Sequence, residues 1–527
     1  MPVAYCTLIA GNVILLLASR YGHSAQFNLE RPTLDNNHTK SEDISNLKET
    51  VTPDPVIMGK ASSTTIDLPG RVIESNIRFI DLQFTDIFGT IKSVTIPASQ
   101  LSAALENGVW FDGSAIEGFA RVAENDMYLV PDPTTWAVVP WTSGEEKTAR
   151  LLCWVYTPRG ERFLGDPRFA LDRVLKEASA LGYQYNAGPE LEFFLFGNNL
   201  ASGLPQVLET DRGSYFDNTT DAGSSLRRKA ARALEEMGVE FESFHHEVAP
   251  GQHEIDLEVG PALRTADYVM TAKYVIRALA QQNGMKATFM PKPIFGLSGS
   301  GMHTHQSMTL LGDIPTARTS KAKILPSTVQ PGENVFTNLN EQYNLSAVAR
   351  HFIAGQLYHA KAMTVILAPL VNSYKRLVAG YEAPVYISWA RVNRGALIRV
   401  PHSGPGANQR YTARVELRCP DPSCNPYLAF AVMLKAGLDG IKRRLPLPEP
   451  VEESIFQFDP NELQRRSIET LPSTMDEALD ELRKDEVIQE ALGEVIYENF
   501  MEAKQAEWSE YGRHVSPWEV ERYLDIG

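Results

Sequence analysis

The chain has 527 residues, of which 43 % are hydrophobic, so it is long enough for about two or three globular domains with large apolar cores. Its 50 basic and 65 acidic residues give a net charge of −15, which argues against nucleic acid or an acidic membrane as the main partner. Four cysteines, Cys6, Cys153, Cys419 and Cys424, form no C-x-x-C pair. Their spacing argues against a disulfide framework or a zinc knuckle and fits a reducing compartment.

The N-terminal stretch reads differently from the rest of the chain. An apolar run, Val3–Ser19, has the length of a signal-peptide core or a marginal membrane span, but no basic residue precedes it. We interpret residues 1–57 as an N-terminal extension, either a disordered tail or the result of a mis-assigned start with translation beginning at Met58. A signal or membrane anchor is the alternative. On the favoured interpretation the protein is cytoplasmic and has no membrane partner.

The first foldable segment predicts strands. From Ile77 to Ile96, apolar and polar residues alternate on both sides of an FGT turn, which is typical of a β-hairpin. Asp112 and the two residues after it read as a loop, and alone they indicate only an Asp-Gly turn. The strand-like segments AVVPW and ARLLCWVY then complete a small domain near Pro158.

A longer second part mixes helical and strand patterns from Asp166 onward. The amphipathic stretch PRFALDRVLKEASALG predicts a helix that stops at Gly182. Thr265 is predicted to cap a second helix that ends at Gly284. We expect both helices to be scaffold, with their apolar stripes facing the core.

The C-terminal part predicts one more long helix. Thr474 and Glu477 have the spacing of a capping box, and apolar residues recur as far as Phe500. The sequence contains no Walker motif, no dinucleotide-binding fingerprint and no internal repeat.

Two acidic segments indicate a cation site. GPELEFFLF puts Glu190 and Glu192 on one face of a largely buried strand. Burying an ionised carboxylate there without a cation costs on the order of several kcal/mol. HHEVAPGQHEIDLEVG presents Glu247 and Glu254 across a turn. A paired core or surface group is the alternative for each segment taken singly.

A third segment, GSGMHTHQSM, places His303, His305 and Ser307 on one face of a strand. Together the segments offer many carboxylate oxygens and a single ligating imidazole, which suits Mg²⁺ or Mn²⁺ rather than zinc, with two or more ions possible. The predicted metal ligands are Glu190, Glu192, Glu247, Glu254, His303 and Glu416.

Two charged segments follow. The loop NSYKRLVAGYEAP carries Arg376 and Glu382 between turn-forming residues. In ARVELRCPDP, Arg414, Glu416 and Arg418 point to one face if the segment is a strand. Either this is a surface ion-pair ladder, or it is a site for phosphate or carboxylate groups.

Taken in order, these segments resemble the type I glutamine synthetase family of bacteria and archaea, closest to the Gram-positive-type branch that lacks the adenylylation tyrosine. The resemblance runs from about Glu74 to the C-terminus and rests on FDGSAIEGF, GPELEFFLF, HHEVAPGQHE, KPIFGLSGSGMH, NSYKRLVAGYEAP and VELRCPDPSCNPYL. It implies an α+β protein with an N-terminal β-grasp domain at 74–158. It also implies a catalytic domain at 165–527 whose curved antiparallel sheet forms a funnel.

The resemblance implies that ATP drives the ligation of L-glutamate and ammonia to L-glutamine through γ-glutamyl phosphate. It further implies a homo-oligomer, a dodecamer of two hexameric rings with active sites between subunits. Glu192, Glu247 and Glu254 resemble the ligands of one metal ion. The second ion would have the ligands Glu190, His303 and Glu416.

The resemblance also assigns the substrate-binding residues. The ATP side matches Glu242, His305, Ser307, Arg394, Arg399 and Arg414, and Arg394 is best placed to steady the phosphoryl group that moves. The glutamate side matches Ser298, Gly299, Arg376, Glu382 and Arg418. Asp112 matches the proton acceptor for ammonium, contributed by a neighbouring subunit, and Tyr215 and Glu382 match other walls of the ammonium pocket.

The chain departs from the family pattern at several positions. Ser298 stands where the family has an asparagine whose amide helps to hold glutamate, and the loop from Pro401 to Ala413 is not the usual one. Phe456 occupies the position of the modifiable tyrosine, so we expect no regulation by adenylylation. Arg121 matches a position tied to feedback inhibition by glutamine, which we expect to be the control instead.

Two alternatives to glutamine synthesis remain. One is a γ-glutamyl ligase that uses a polyamine or an alkylamine, suggested by the change at Ser298. Retention of Asp112 and Tyr215 favours ammonium. The other is a catalytically silent relative, which retention of all the predicted metal ligands argues against.

Overall fold

The computed structural model describes residues 66–116, 126–197, 207–208, 210–312, 329–380, 383–402 and 412–526. The expectations for Val3–Ser19, for a start at Met58, for Arg121 and for Glu382 lie outside these residues. The described residues belong to one unit that spans Thr65–Gly527.

The first part of the chain forms a mixed β-sheet with two short helices. Its strands are β1 (Phe79–Thr85), β2 (Ile91–Pro97), β3 (Val109–Asp112), β4 (Asp126–Pro131), β5 (Ala137–Val138) and β6 (Thr148–Tyr156), and its helices are α1 (Leu68–Glu74) and α2 (Leu101–Asn107). The strand order is β2-β1-β6-β4-β3, with β5 paired to β6. Antiparallel pairing of β1 with β2 confirms the predicted hairpin, whereas β1 and β6 run parallel.

Alternation along β1 builds the core of this sheet. Ile80 and Leu82 are fully buried and belong to the same core as Leu151 of β6 and Leu129 of β4. Strand β3 lies at the edge of the sheet and ends at Asp112, which is exposed. The fold therefore places Asp112 at a sheet edge and not in a core.

The second part forms a larger, curled sheet around one long strand. Its strands are β7 (Tyr183–Gly197), β8 (Phe241–His246), β9 (Gln252–Leu257), β10 (Gly260–Pro261), β11 (Met285–Thr288), β12 (Thr304–Leu310), β13 (Tyr386–Ala390), β14 (Ala396–Arg399) and β15 (Val415–Leu417). The order is β13-β14-β15-β12-β7-β9-β8, and β10 and β11 also pair with β7. Neighbours run antiparallel except β13 and β14, which are parallel. The predicted antiparallel sheet is thus correct apart from one edge pair.

Helices cover this sheet. They are α3 (Pro167–Ala180), α4 (Ser224–Glu236), α5 (Ala262–Gln282), α6 (Ala347–Tyr358), α7 (Ala360–Leu367), α8 (Ser373–Arg376), α9 (Pro426–Arg443), α10 (Pro460–Arg465), α11 (Met475–Arg483), α12 (Glu486–Leu492), α13 (Glu494–Tyr511) and α14 (Pro517–Tyr523). Most of α9 is buried on all sides, so it lies at the centre of the helical layer. The combination of helices with separate, mainly antiparallel sheets confirms the predicted α+β class.

The predicted cap at Thr265 is wrong. Helix α5 begins at Ala262, and Pro261 is its N-cap residue. The Thr265 hydroxyl donates a hydrogen bond of 3.3 Å to the Pro261 carbonyl, one turn back. A cap side chain would instead accept from a backbone N–H, so this bond is that of a threonine inside a helix.

The prediction of a single long C-terminal helix is also wrong, because the segment consists of α11, α12 and α13. Thr474 does accept the Glu477 N–H, but Glu477 bonds back to Ser473, so the reciprocal half of the box is shifted by one residue. Asp485 caps α12, and Gly493 ends it with a φ of 79°. Within the described residues, no helix is both long and apolar enough to cross a bilayer.

Candidate active site

A polar cleft of about 760 Å³ opens at one end of the curled sheet. Side chains from β7, the β8–β9 hairpin, the segment before β12, and strands β14 and β15 reach into it. The predicted site residues that line it are Glu190, Glu192, Tyr215, Glu247, Glu254, Ser298, Gly299, His303, Arg376, Arg394, Arg399, Glu416 and Arg418. Residues that are far apart in sequence therefore converge because the strands that carry them are neighbours in one sheet.

Glu190 is held by two histidines. Its Oε2 atom lies 3.0 Å from His303 Nδ1, and its Oε1 atom lies 2.9 Å from His305 Nε2. Burial alone would raise the pKa of Glu190, but the hydrogen bonds from the two imidazoles outweigh burial and hold that pKa well below its usual range. Glu190 is therefore an ionised carboxylate facing the cleft.

Glu190, His303 and Glu416 form a cluster that can hold a cation, with ligand atoms within 4.8 Å of one another. The Glu416 side chain is fully buried and is paired with Arg399 and, at 2.8 Å, with Arg418. Burial would raise the pKa of Glu416, but the charge of Arg418 opposes this and keeps it low. Two carboxylates and one imidazole match the donor set predicted for one metal ion.

A second cluster lies on the β8–β9 hairpin, where ligand atoms of His245, Glu247 and Glu254 lie within 4.8 Å of one another. His245 Nδ1 is 3.8 Å from Glu247, and His245 Nε2 is 3.9 Å from Glu254. Glu192 is the register partner of Glu254 across β7 and β9, and its Oε2 atom accepts a hydrogen bond from Gln252. The family resemblance assigned Glu192, Glu247 and Glu254 to one ion and did not include His245, although His245 and Glu247 alternate along the segment as residues on one face do.

The acidic residues of this side repel one another. Burial, followed by the charge of Glu247, raises the pKa of Glu192 to about 8. Burial and the charges of Glu192 and Glu190 raise the pKa of Glu254 far above its usual value. A divalent cation among these oxygens would remove the repulsion, so the residues present fit such an ion.

The arginines take different positions around the cleft, and Arg414 is not among the residues that line it. Arg394 is exposed at the cleft, and Arg414 Nε lies 3.3 Å from His305 Nδ1. Arg376 is buried and donates from Nη1 and Nη2 to the carbonyls of Cys419 and Arg418, at 2.9 and 3.1 Å. Arg376 therefore fixes the chain after β15 while part of its guanidinium still lines the cleft.

Gly299 lies against the base of this wall. A Cβ atom there would meet the Pro291 carbonyl at 2.4 Å and the Arg376 side chain at 3.2 Å. Only glycine allows the backbone to approach this closely, so the Gly299 backbone reaches the cleft edge beside Ser298.

Several predicted residues do not join the others. The described residues that line the cleft do not include Asp112, Glu242, His305, Ser307 or Arg414. His305 still contacts the cleft residue Glu190, and Arg414 contacts His305. Asp112 Oδ1 accepts bonds from the Ser114 N–H and hydroxyl, at 2.9 and 2.6 Å, and these lower its pKa. Glu242 is exposed on β8, and Ser307 is buried on β12.

A network of buried polar side chains lies on the face of the β8–β9 hairpin that points away from the cleft. The sequence did not predict this network. His246 lies 2.9 Å from Asp211, and Arg227 Nη1 lies 2.7 Å from His253 Nδ1 and pairs with Asp221. His246 Nδ1 also faces the Glu247 carbonyl at 2.6 Å, so both of its ring nitrogens face acceptors and both must carry protons. Burial would lower the pKa of His246, but the bond to Asp211 outweighs it and raises that pKa.

These back-face contacts are hydrogen bonds and ion pairs, and their proton positions argue against a metal centre. Arg227 can only donate, so His253 Nδ1 accepts and the proton of that ring is on Nε2. Neither histidine then offers a free lone pair. The network instead ties the segment before Tyr215 to the hairpin that carries Glu247 and Glu254, and the Phe216 N–H adds a bond of 3.1 Å to the His246 carbonyl.

Comparison with family models agrees with this geometry. A model described as "Glutamine synthetase, beta-Grasp domain" matches residues 76–158, and one described as "Glutamine synthetase, catalytic domain" matches residues 164–523. Together the matches confirm that a β-grasp domain precedes a catalytic domain, as the resemblance implied.

Curated relatives named glutamine synthetase align over nearly their whole length. The protein of Methanosarcina mazei is 46 % identical over 472 residues, covering 89 % of this chain and 100 % of the relative. That of Clostridium saccharobutylicum is 47 % identical, covering 88 % and 99 %. That of Staphylococcus aureus strain MW2 is 46 % identical, covering 89 % and 99 %.

Solved structures give a similar result at lower identity. A structure titled "GmaS/ADP complex-Conformation 1" is 30 % identical with a TM-score of 0.75, and covers 88 % of this chain and 100 % of its own. One titled "Apo GmaS without ligand" is also 30 % identical, with a TM-score of 0.74, and covers 87 % and 100 %.

Proposed function

This chain is a member of the glutamine synthetase family, and we propose that its cleft joins L-glutamate to ammonia through γ-glutamyl phosphate, with ATP as the phosphoryl donor. The protein is a glutamate–ammonia ligase. The observation that carries the assignment to this cleft is the convergence of two carboxylate clusters with Arg399 of β14 and Arg418, the residue after β15. Domain limits of 74–158 and 165–527, after an extension at 1–57, belong to the same proposal.

The chemistry requires two group transfers. The γ-carboxylate of glutamate attacks the γ-phosphorus of ATP, and ADP leaves. The carboxylate oxygen, a poor leaving group, is thereby converted to an acyl phosphate that can lose phosphate. Ammonia then attacks the acyl carbon, the nitrogen loses a proton, and inorganic phosphate leaves. Negative charge gathers at the moving phosphoryl group, so cationic side chains fixed in place lower the barrier.

The two clusters are the proposed metal sites. Glu190, His303 and Glu416 would hold one Mg²⁺ or Mn²⁺ ion, and Glu192, Glu247 and Glu254 another. Bound there, divalent ions supply positive charge that offsets the phosphate oxygens. The raised pKa values of Glu192 and Glu254 support the proposal, because a cation would stabilise the ionised form that burial disfavours.

The arginines would divide between the two substrates. Arg394, Arg399 and Arg414 would face the phosphates, and the exposure of Arg394 in the cleft supports its role at the phosphoryl group that moves. Arg376 and Arg418 would bind the carboxylates of glutamate beside Ser298 and Gly299. The buried Nε of Arg418 has no hydrogen-bond partner in the described residues, which suits an anionic ligand. On the nucleotide side we assign Glu242, His305 and Ser307.

Ammonium would bind near Tyr215 and Glu382, with Asp112 of a neighbouring subunit as proton acceptor. The exposure of Asp112 at a sheet edge supports an intersubunit role, and with it a dodecamer of two hexameric rings. Control would come from glutamine through Arg121. Phe456 has no hydroxyl to adenylylate.

The described cysteines, Cys153, Cys419 and Cys424, are free and buried, which supports placement in the reducing cytoplasm.

One assay tests the function. Purified protein is incubated with glutamate, ATP and Mg²⁺, and phosphate release and the amide product are measured with ammonium, putrescine or ethylamine. We expect ammonium to give the fastest turnover and glutamine to be the product. Faster turnover with an organic amine would overturn the choice of ammonium, and absence of turnover with all three would overturn the enzyme assignment.

A further inference from the structure

Gln252, the first residue of β9, connects two parts of the cleft that have different proposed ligands. Its side chain is fully buried. Its Nε2 atom donates to Glu192 Oε2 at 2.7 Å and to the Gly299 carbonyl at 3.1 Å. A peptide carbonyl can only accept, so the amide nitrogen must face the Gly299 carbonyl and the side chain has one possible orientation.

The remaining polar atom of Gln252 is also used. Its Oε1 atom accepts a bond of 3.4 Å from the Ala249 N–H in the turn of the β8–β9 hairpin. The carboxamide thus contacts the hairpin, strand β7 and the segment that contains Gly299. Because the amide is neutral, it does not compensate the charge of Glu192, and its contribution is to set the distance between its partners.

The segment that contains Gly299 is fixed by its neighbours, so it moves little unless Glu192 moves with it. The Ser300 N–H donates to the Pro291 carbonyl at 2.8 Å, and the space beside Gly299 is filled by Pro291 and Arg376. The Glu192 N–H donates to the Gly301 carbonyl at 3.3 Å, a second and longer contact between β7 and this segment. A shift of the Glu192 carboxylate is therefore transmitted to Gly299 most directly through Gln252.

We propose that Gln252 is a positioning residue that couples the occupancy of the metal site at Glu192 to the binding of glutamate beside Gly299. This inference rests on the proposed function, since it takes the two ligands from there. A metal ion that fixes Glu192 also fixes Nε2 of Gln252 and hence the Gly299 carbonyl. By linkage, glutamate must tighten metal binding by the same factor by which the metal tightens glutamate binding.

The experiment measures that factor directly. Mn²⁺ binding to the full-length protein is titrated by electron paramagnetic resonance with and without saturating L-glutamate, for the wild type and for Gln252→Leu. The leucine side chain is similar in size to that of glutamine but has no N–H group to donate. We expect glutamate to tighten Mn²⁺ binding in the wild type by a factor in the usual range of about 5- to 150-fold, and by less than about twofold in the variant.

A second variant and a matched control guard against a trivial loss of structure. Gln252→Asn keeps the amide but is one methylene shorter, so it cannot reach both acceptors, and we expect it to lose the coupling as well. Gln356 is a fully buried glutamine whose Nε2 also donates twice, to Gln306 and to the Met433 carbonyl, away from the cleft. Gln356→Leu is expected to lower stability but to leave the coupling factor unchanged.

Steady-state kinetics give an independent result. We expect Gln252→Leu to raise the KM for glutamate about tenfold or more with little change in the KM for ATP, because the Gln252 amide bonds Glu192 and the Gly299 carbonyl and none of the residues assigned to ATP. The inference is overturned if the wild type shows no coupling, if either Gln252 variant keeps the wild-type factor, or if Gln356→Leu abolishes it. A wild type that makes no glutamine would instead contradict the proposed function.

Discussion

Arg168 and Asp267 form a buried ion pair with two parallel hydrogen bonds. Arg168 Nε lies 3.0 Å from Asp267 Oδ1, and Arg168 Nη2 lies 2.9 Å from Asp267 Oδ2. The same Nη2 contacts Asp132 at the end of β4, and the Tyr427 hydroxyl donates to Asp267 at 2.7 Å. Helices α3, α5 and α9 are thus joined to the first sheet by one charged group.

We expect Asp267→Ala to lower the free energy of unfolding by about 3–5 kcal/mol, because among the described residues it leaves the buried guanidinium of Arg168 with Asp132 as its ion-pair partner. Urea denaturation of the two proteins measures the difference. The exposed pair of Arg78 and Glu145 gives the control, since Glu145→Ala is expected to have almost no effect. Equal losses in the two variants would show that burial does not decide the value of the pair.

His359 predicts a pH dependence of stability. Its Nδ1 and Nε2 atoms donate to Asp485 and Asp439, at 2.6 and 3.0 Å, so both nitrogens carry protons. Burial would lower the pKa of His359, but the bonds to Asp485 and Asp439 outweigh it and raise that pKa. A raised pKa in the folded state means that this stabilisation is complete below pH about 6.5 and is lost as the pH rises through the folded-state pKa.

Unfolding of the wild type and of His359→Gln should therefore be compared between pH 6 and pH 9. We expect the wild type to be more stable at pH 6, with the difference shrinking toward pH 9. A difference that stays constant over this range would contradict the assignment of a protonated imidazole.

Removal of divalent metal should destabilise the acidic side of the cleft. Mg²⁺ at a hundredfold excess over its Kd should stabilise the wild type by about 2.7 kcal/mol relative to protein in a chelator. Glu254→Gln removes one of the repelling carboxylates, so we expect it to raise the Tm of the metal-free protein and to reduce the increase on adding Mg²⁺. Thermal melts with and without Mg²⁺ check both effects, and an undiminished metal response in the variant would exclude Glu254 as a ligand.

Asp112→Ala tests the ammonium site. We expect glutamate-dependent phosphorylation to remain in part, while kcat/KM for ammonium falls by about 10²- to 10⁴-fold through loss of the proton acceptor. Asp126 faces Asp112 across β3 and β4 and is also exposed, so Asp126→Ala is the matched control. An unchanged apparent affinity for ammonium in Asp112→Ala would refute the role.

Strand alternation explains which parts of this site the sequence could predict. Glu190 and Glu192 are two residues apart on a strand, so their common face followed from local geometry alone. His245 lies two residues before Glu247 and groups with it, but the prediction took only the carboxylates of this segment as ligands. Asp211 lies in a segment without regular structure, and no spacing rule links it to His246.

The helix boundaries failed for a related reason. Thr265 has the side chain of a cap, but the choice between cap and interior depends on the packing of residues before it. Gly493 and Asp485 were the local signals for the breaks between α11, α12 and α13. Apolar periodicity continues across both breaks because all three helices pack on the same core.

The position of Asp112 on an exposed sheet edge has a genetic consequence. If each site takes Asp112 from one subunit and Arg418 from another, variants at these two positions are defective in different halves of a site. Mixed assemblies of Asp112→Ala and Arg418→Ala subunits would then contain about a quarter of sites with both halves intact. Two alleles that are each inactive alone would therefore restore part of the activity when expressed together.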